Sequence, residues 1–227
     1  MEIRDSGQIE KAKLEDSLVD ILYDRYKELV FHGGTAIWRC YSGNRFSRDL
    51  DFYMKGAEKD KMVHYKEMAE FLKERGFAIK EKGYSNSTKT MHFLVESNAK
   101  MKIDVNFNYK MGTPVEYIKV DGSRIVVLAL TPEELLNEKI DAYLKKINSA
   151  DENSQPEIQD LYDMYYLSTI VKSRKPGTVK MLVLLLDEMD SKPPANQHSL
   201  GHLILSGVPP TFDFMIKKLR DWANDNE

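Results

Sequence analysis

The chain has 227 residues, 42% hydrophobic and 30% charged, with a formal net charge of −3. That length can bury the core of one domain or two small ones, and the charge excludes a bulk positive field for nucleic acid. The single cysteine, Cys40, excludes an intramolecular disulfide and a thiolate metal cluster, and a buried, inert thiol is expected there.

Ile9 to Glu28 carries apolar residues near helical spacing (Ile9, Ala12, Leu14, Leu18, Ile21, Leu22 and Tyr26) and reads as an amphipathic helix. Leu29–His32 is a short apolar run, expected as a buried strand. Gly33-Gly34 breaks it, "TAIWRCY" predicts a short helix, and Ser42–Asn44 turns the chain. His32 and Trp38 flank the glycines and are expected in the core. Asp49–Met54 alternates acid and apolar residues, the period-2 signature of a strand. Lys61 to Arg75 predicts a helix with Gly76 at its C-terminal cap. "FAIKEKGY", "TMHFLVES" and "MKIDVNFNY" predict antiparallel neighbours, and "YIKV" and "RIVVLAL" flank a hairpin turn at Asp121-Gly122.

After Thr131-Pro132 the texture becomes helical. "TPEELLNEKIDAYLKKI" has a Thr cap, Pro at the first helical position, early acids and late lysines. A polar loop, "SADENSQ", precedes helices at "PEIQDLYDMYYLSTIV" and "TVKMLVLLLDEM". Residues 191–210 read as a loop, and Pro210 to Ala223 as a last helix. The expected fold class is α+β: a mixed-sheet core with flanking helices over residues 1–128, then an α-helical half over 129–227. No apolar run approaches the roughly 20 residues that span a bilayer. The N-terminal "MEIRDSGQIEKAKLED" lacks the apolar stretch of a signal peptide. A cytoplasmic protein with no membrane partner is expected.

Residues i and i+2 of a strand share a face, so Asp49 and Asp51 point together while Leu50 and Phe52 point to the core. A bare D-x-D suits a solvated strand face. Two adjacent carboxylates also suit a hard divalent cation, which takes oxygen ligands and keeps positions for water and phosphate. Gly33-Gly34, between a strand and a helix, lets backbone N–H groups and the helix dipole approach an anion, and Thr35 can add a hydroxyl. Together the two features can hold a triphosphate and its metal. Asp104 alternates with Ile103 and Val105. A strand placed beside Asp49–Met54 would bring Asp104 near the acid pair, making three carboxylates able to bind two Mg²⁺ ions.

Strand, Gly-Gly, helix, D-x-D and a later strand carboxylate resemble the polymerase-β-type nucleotidyltransferase superfamily. More narrowly, "FHGGTAIWRCYSGNRFSRDLDF" is similar to the AbiEii/AbiGii toxin nucleotidyltransferases at Gly33, Gly34, Thr35, Ala36, Arg45, Ser47, Asp49 and Asp51. "LLNEKIDAYL" and "QDLYDMYYL" match that family's later E-K-x-x-A and D-x-x-D helices at Glu138, Lys139, Ala142, Asp160 and Asp163. Arg48 stands where the family often has an acid, and "YLKKI" has lysines where an arginine often follows.

The resemblance implies NMP transfer from an NTP to an acceptor hydroxyl, with pyrophosphate released. It implies Mg²⁺, with Mn²⁺ as a substitute, held by Asp49, Asp51 and Asp104. Gly33, Gly34 and Thr35 would cradle phosphates, Arg45, Ser47 and Lys139 would steady the triphosphate, and Asp160 would lie near the site. It also implies a toxin with a cognate antitoxin and a tRNA or other RNA acceptor. A protein or small-molecule acceptor, or a non-catalytic NTP sensor of the same fold, stays open.

Overall fold

The structure, a computed structural model, describes residues 3, 5–56, 61–149 and 155–225. Most of the expected polar loop after Ser149 therefore lies outside the described residues. The chain divides into two compact units, Met1–Leu130 and Thr131–Glu227.

The first unit holds a seven-stranded sheet. Its strands are β1 (Val30–His32), β2 (Asp49–Tyr53), β3 (Ala78–Ser85), β4 (Thr90–Glu96), β5 (Lys100–Asn106), β6 (Thr113–Ile118) and β7 (Arg124–Ala129). They lie in the order β3-β4-β5-β2-β1-β7-β6. The sheet is mixed: β2 pairs parallel with β5 and β1 parallel with β7, while the remaining pairs are antiparallel. Helices α1 (Ser6–Arg25), α2 (Gly33–Cys40) and α3 (Lys61–Glu74) accompany it. α1 starts earlier than the apolar spacing implies, because the Asp5 carboxylate accepts the Gln8 N–H and caps it. The hairpin turn falls at Gly122 (φ +84°), but β6 begins earlier than expected, at Thr113. It is an edge strand and so tolerates Pro114.

One face of the sheet is the core. Phe31, Leu50, Phe52, Met91, Phe93, Ile103 and Val105 are all fully or almost fully buried. Tyr23 of α1 stacks on Phe31 with ring centroids 5.8 Å apart, and Tyr65 of α3 on Phe93 at 5.2 Å. This face fixes the register of β2. A one-residue slip would expose Leu50 and Phe52, at roughly 2 kcal/mol each, and drive Asp49 and Asp51 inward. Hydrophobic burial therefore sets which way the acids point.

Beneath the sheet, Arg39 of α2 is fully buried against Glu15 of α1 (Nε–Oε1 2.8 Å) and bonded to Asp16 at 3.1 Å. The Tyr117 hydroxyl of β6 donates to the same two acids. This cluster locks the helix that carries the glycines to α1 and β6. Trp38 is fully buried, as expected, with Arg39 over its ring at 3.8 Å. Cys40 is half-buried rather than buried, and desolvation pushes its thiol up to about 12, which keeps it inert.

The second unit is helical: α4 (Pro132–Ile147), α5 (Ile158–Ile170), α6 (Pro176–Ser191) and α7 (Phe212–Asn224), with a 3-10 turn at Gln197–His202. α4 opens with a complete capping box between Thr131 and Glu134. Apolar stripes meet in its core, with Leu136, Ile140, Leu161, Leu185 and Leu219 buried. No described helix is long and apolar enough to cross a membrane.

Candidate active site

The turn favours glycine at Gly33, through its backbone, and leaves little room for a side chain at Gly34. Gly33 follows β1 at φ +70°, and a Cβ there would collide with Asp51 Oδ2. A Cβ on Gly34 would lie 2.6 Å from Arg45 Nη2 and 2.7 Å from Ser47 Oγ. Bare backbone at the start of α2 is thus wrapped by a carboxylate, a guanidinium and a hydroxyl. Arg45 and Ser47 are buried, and Arg45 Nη1 donates to the Phe46 carbonyl at 3.1 Å, which fixes its fork. Thr35 Oγ1, expected among the phosphate contacts, is fully buried and donates to the Asp49 carbonyl at 2.6 Å. Its hydroxyl ties the glycine turn to the acid strand from inside the fold.

The acids form a row. Asp49 and Asp51 alternate with buried Leu50 and Phe52 and are themselves half-buried. Because β5 pairs parallel with β2, Asp104 lies directly opposite Asp51 and Lys102 opposite Asp49. His32 of β1 is opposite Asp51 on the other side, and His92 of β4 opposite Asp104. One rung of the sheet therefore reads His92–Asp104–Asp51–His32. His32, expected in the core, is half-buried in this rung and stacks on Tyr53 at 4.1 Å.

Three basic side chains near the acids were not singled out as site residues by the sequence. Lys102 Nζ bonds Asp104 Oδ2 at 2.7 Å, and the His92 Nδ1–H donates to Asp104 Oδ1 at 2.8 Å. Burial lowers the ammonium of Lys11 in α1, against the nearby charge of Asp49. For Lys102, burial pulls down, but the bond to Asp104 and the charges of Asp104, Asp49 and Asp51 win and hold its pKa above the usual range. Strand alternation puts Lys102 on the face of Asp104, and the same alternation could have added His92 once β4 was paired with β5. Only the strand order shows what they touch.

Three carboxylates on adjacent strands are oxygen donors of the type a hard divalent cation takes, beside a turn too close for any Cβ, so the residues fit such an ion. Among the described residues, no three His, Cys, Asp or Glu side chains converge as a ready-made metal site. Both oxygens of Asp104 are engaged by its neighbours.

Within the helical unit, Lys139 Nζ lies 2.7 Å from Asp163 and 3.2 Å from Asp160, and Lys146 Nζ lies 2.7 Å from Asp160. Burial would raise the Asp160 carboxyl, but the two lysines override it and hold it far below the usual carboxylate range. The structure thus brings both acids of the "QDLYD" helix onto the one lysine of the "NEKIDA" helix.

Comparison with known proteins bears on this arrangement. Among solved structures, JHP933 from Helicobacter pylori is similar at 16% identity and a TM-score of 0.63, covering 96% of this chain and 91% of that one. MenT4, a nucleotidyltransferase toxin from Mycobacterium tuberculosis, is similar at 17% identity and a TM-score of 0.57, covering 96% and 84%. At these identities the likeness is one of fold. Comparison with curated proteins finds no match. Residues 19–219 match the family described as "Nucleotidyl transferase AbiEii toxin, Type IV TA system", a span that takes in the glycine turn, the acid row and the Lys139–Asp160–Asp163 cluster. The chain belongs to the AbiEii nucleotidyltransferase toxin family.

Proposed function

We propose that the protein transfers NMP from an NTP to an acceptor hydroxyl, with RNA, and tRNA in particular, as the acceptor. The observation that carries the reading is the register of β2 with its two neighbours, which sets Asp51 opposite Asp104 of β5 on one side and against Gly33, at the end of β1, on the other. Anion cradle and acid row are then one device.

The residues divide the work. Backbone N–H groups at the start of α2 receive phosphate oxygens, helped by the helix dipole. Arg45 and Ser47, seated on Gly34, add a positive charge and a hydroxyl there. Asp49, Asp51 and Asp104 would hold Mg²⁺, or Mn²⁺ in its place. When bound, that ion neutralises triphosphate charge and makes the acceptor hydroxyl easier to deprotonate. Lys139, positioned by Asp160 and Asp163, is assigned to the leaving phosphates. The acceptor oxygen attacks the α-phosphorus, the α–β anhydride bond breaks, and pyrophosphate departs. Catalysis of this kind rests on positioning and charge neutralisation. Membership of a type IV toxin–antitoxin family supports a toxic outcome and a cognate antitoxin.

The test is incubation with each α-labelled NTP, Mg²⁺ and total tRNA, alongside Asp51→Asn. Label on tRNA that disappears in the variant supports the proposal. Label confined to protein would replace RNA with a protein acceptor. Nucleotide binding without transfer, whatever the metal, would make the chain a sensor.

A further inference from the structure

We propose that Lys102 is a resident counter-ion of the acid row that the divalent cation must displace. The inference rests on the metal assignment of the proposed function. The two oxygens of Asp104 are held unequally. Oδ1 accepts from His92, whose ring is carried on β4 directly opposite Asp104, so this bond fixes the plane of the carboxylate. Oδ2 is held by Lys102, two residues away on the same strand, through a long and half-exposed side chain.

Lys102 also lies opposite Asp49, so the charge of Asp49 acts on the same ammonium that bonds Asp104. In this arrangement one ammonium offsets part of the charge of the carboxylates without a metal, which eases the mutual repulsion of three adjacent acids. A divalent cation seeking Asp104 meets a like charge already on its ligand oxygen. The flexible lysine yields and the imidazole stays, as an outer partner that keeps a ligand oriented. Lys102 is thus a positioning residue that sets how readily the site loads. Its removal should strengthen metal binding, the opposite of what loss of a ligand or a structural support would do.

Mn²⁺ alone, titrated into the full chain and followed by electron paramagnetic resonance, provides the test. Lys102→Met should bind Mn²⁺ about fivefold more tightly than wild type, the scale of one partly exposed ion pair. Lys102→Arg, which keeps the charge, should stay within about twofold of wild type. The gap between Met and wild type should narrow as salt is raised. Thermal melts identify any variant that fails to fold, and Lys102→Gln then replaces Lys102→Met. If Asp51→Asn loses Mn²⁺ while neither neutral variant binds more tightly than wild type, the displacement is overturned and the metal assignment stands. If Asp51→Asn binds Mn²⁺ as wild type does, the metal assignment itself falls, and this inference with it.

Discussion

Gly33 and Asp51 occupy one space: the carboxylate of the acid strand lies where the side chain of any other residue at position 33 would have to go. Gly33→Ala therefore carries two penalties, a left-handed backbone costing about 1 kcal/mol and a displaced Asp51. We expect it to lower nucleotidyl transfer by about a hundredfold or more, the loss typical when one preorganised group is misplaced. Gly122→Ala, also at positive φ but facing open space, should cost the backbone term alone and leave transfer intact. Urea denaturation and label transfer on the two variants separate the effects. Full activity in Gly33→Ala would mean that the interlock is dispensable.

Thr35→Val should act through structure. The lost bond leaves the Asp49 carbonyl without its 2.6 Å donor in a partly buried setting, at about 1 kcal/mol. Thr35→Ser keeps the donor and should retain more transfer activity than Thr35→Val. Equal activity in the two, measured at saturating nucleotide, would count against the hydroxyl as a tie between turn and strand.

The shared face of Asp49 and Asp51 was legible in the sequence because alternation is local. So was the face of Asp104. Their adjacency was expected only on the condition that the two strands pair, because β5 returns beside β2 only after the β3–β4 hairpin has been laid down outside it, and no local pattern encodes which strand becomes a neighbour. The same limit hid Arg39. It reads as one polar residue in a short helix, yet its partners Glu15, Asp16 and Tyr117 come from an earlier helix and a later strand. His32 was expected in the core because it borders an apolar run, whereas pairing to β2 puts it in the acid rung.

Glu15 should make stability fall as pH rises. Its complete burial pushes the carboxyl up to about 7, although Arg39 opposes the shift. An unfolded Glu titrates near 4.3. Between those values the native state binds more protons than the unfolded state, so stability declines with increasing pH across that window. The loss is no more than about 4 kcal/mol. Glu15→Gln cannot titrate, so relative to wild type it should gain stability from pH 5 to pH 7.5. Parallel urea curves for the two proteins at each pH would refute this.

Asp160 has the opposite sign. Its folded pKa is depressed, so its contribution is complete above the unfolded value near 3.9 and disappears as pH falls below it. Asp160→Asn leaves Lys139 and Lys146 short of a carboxylate and should cost about 2 kcal/mol at pH 7, less than a wholly buried pair because the lysines retain some exposure. The difference from wild type should shrink between pH 4 and pH 2. A difference independent of pH would assign the loss to packing instead of charge.

The β3–β4 hairpin, which lies outside β5, also sets what this lineage can change. Residues can be inserted at the β3–β4 turn, Asn86–Lys89, without altering the parity of the strand that follows. One residue inserted within β5 ahead of Asp104 would exchange its faces. Asp104 would then replace Ile103 or Val105 against Phe52 and the core, and the apolar residues would join the rung. Length drift among relatives should therefore accumulate at the turn and halt at Lys100. Any homologue with an odd insertion inside β5 should have lost the third acid from the row.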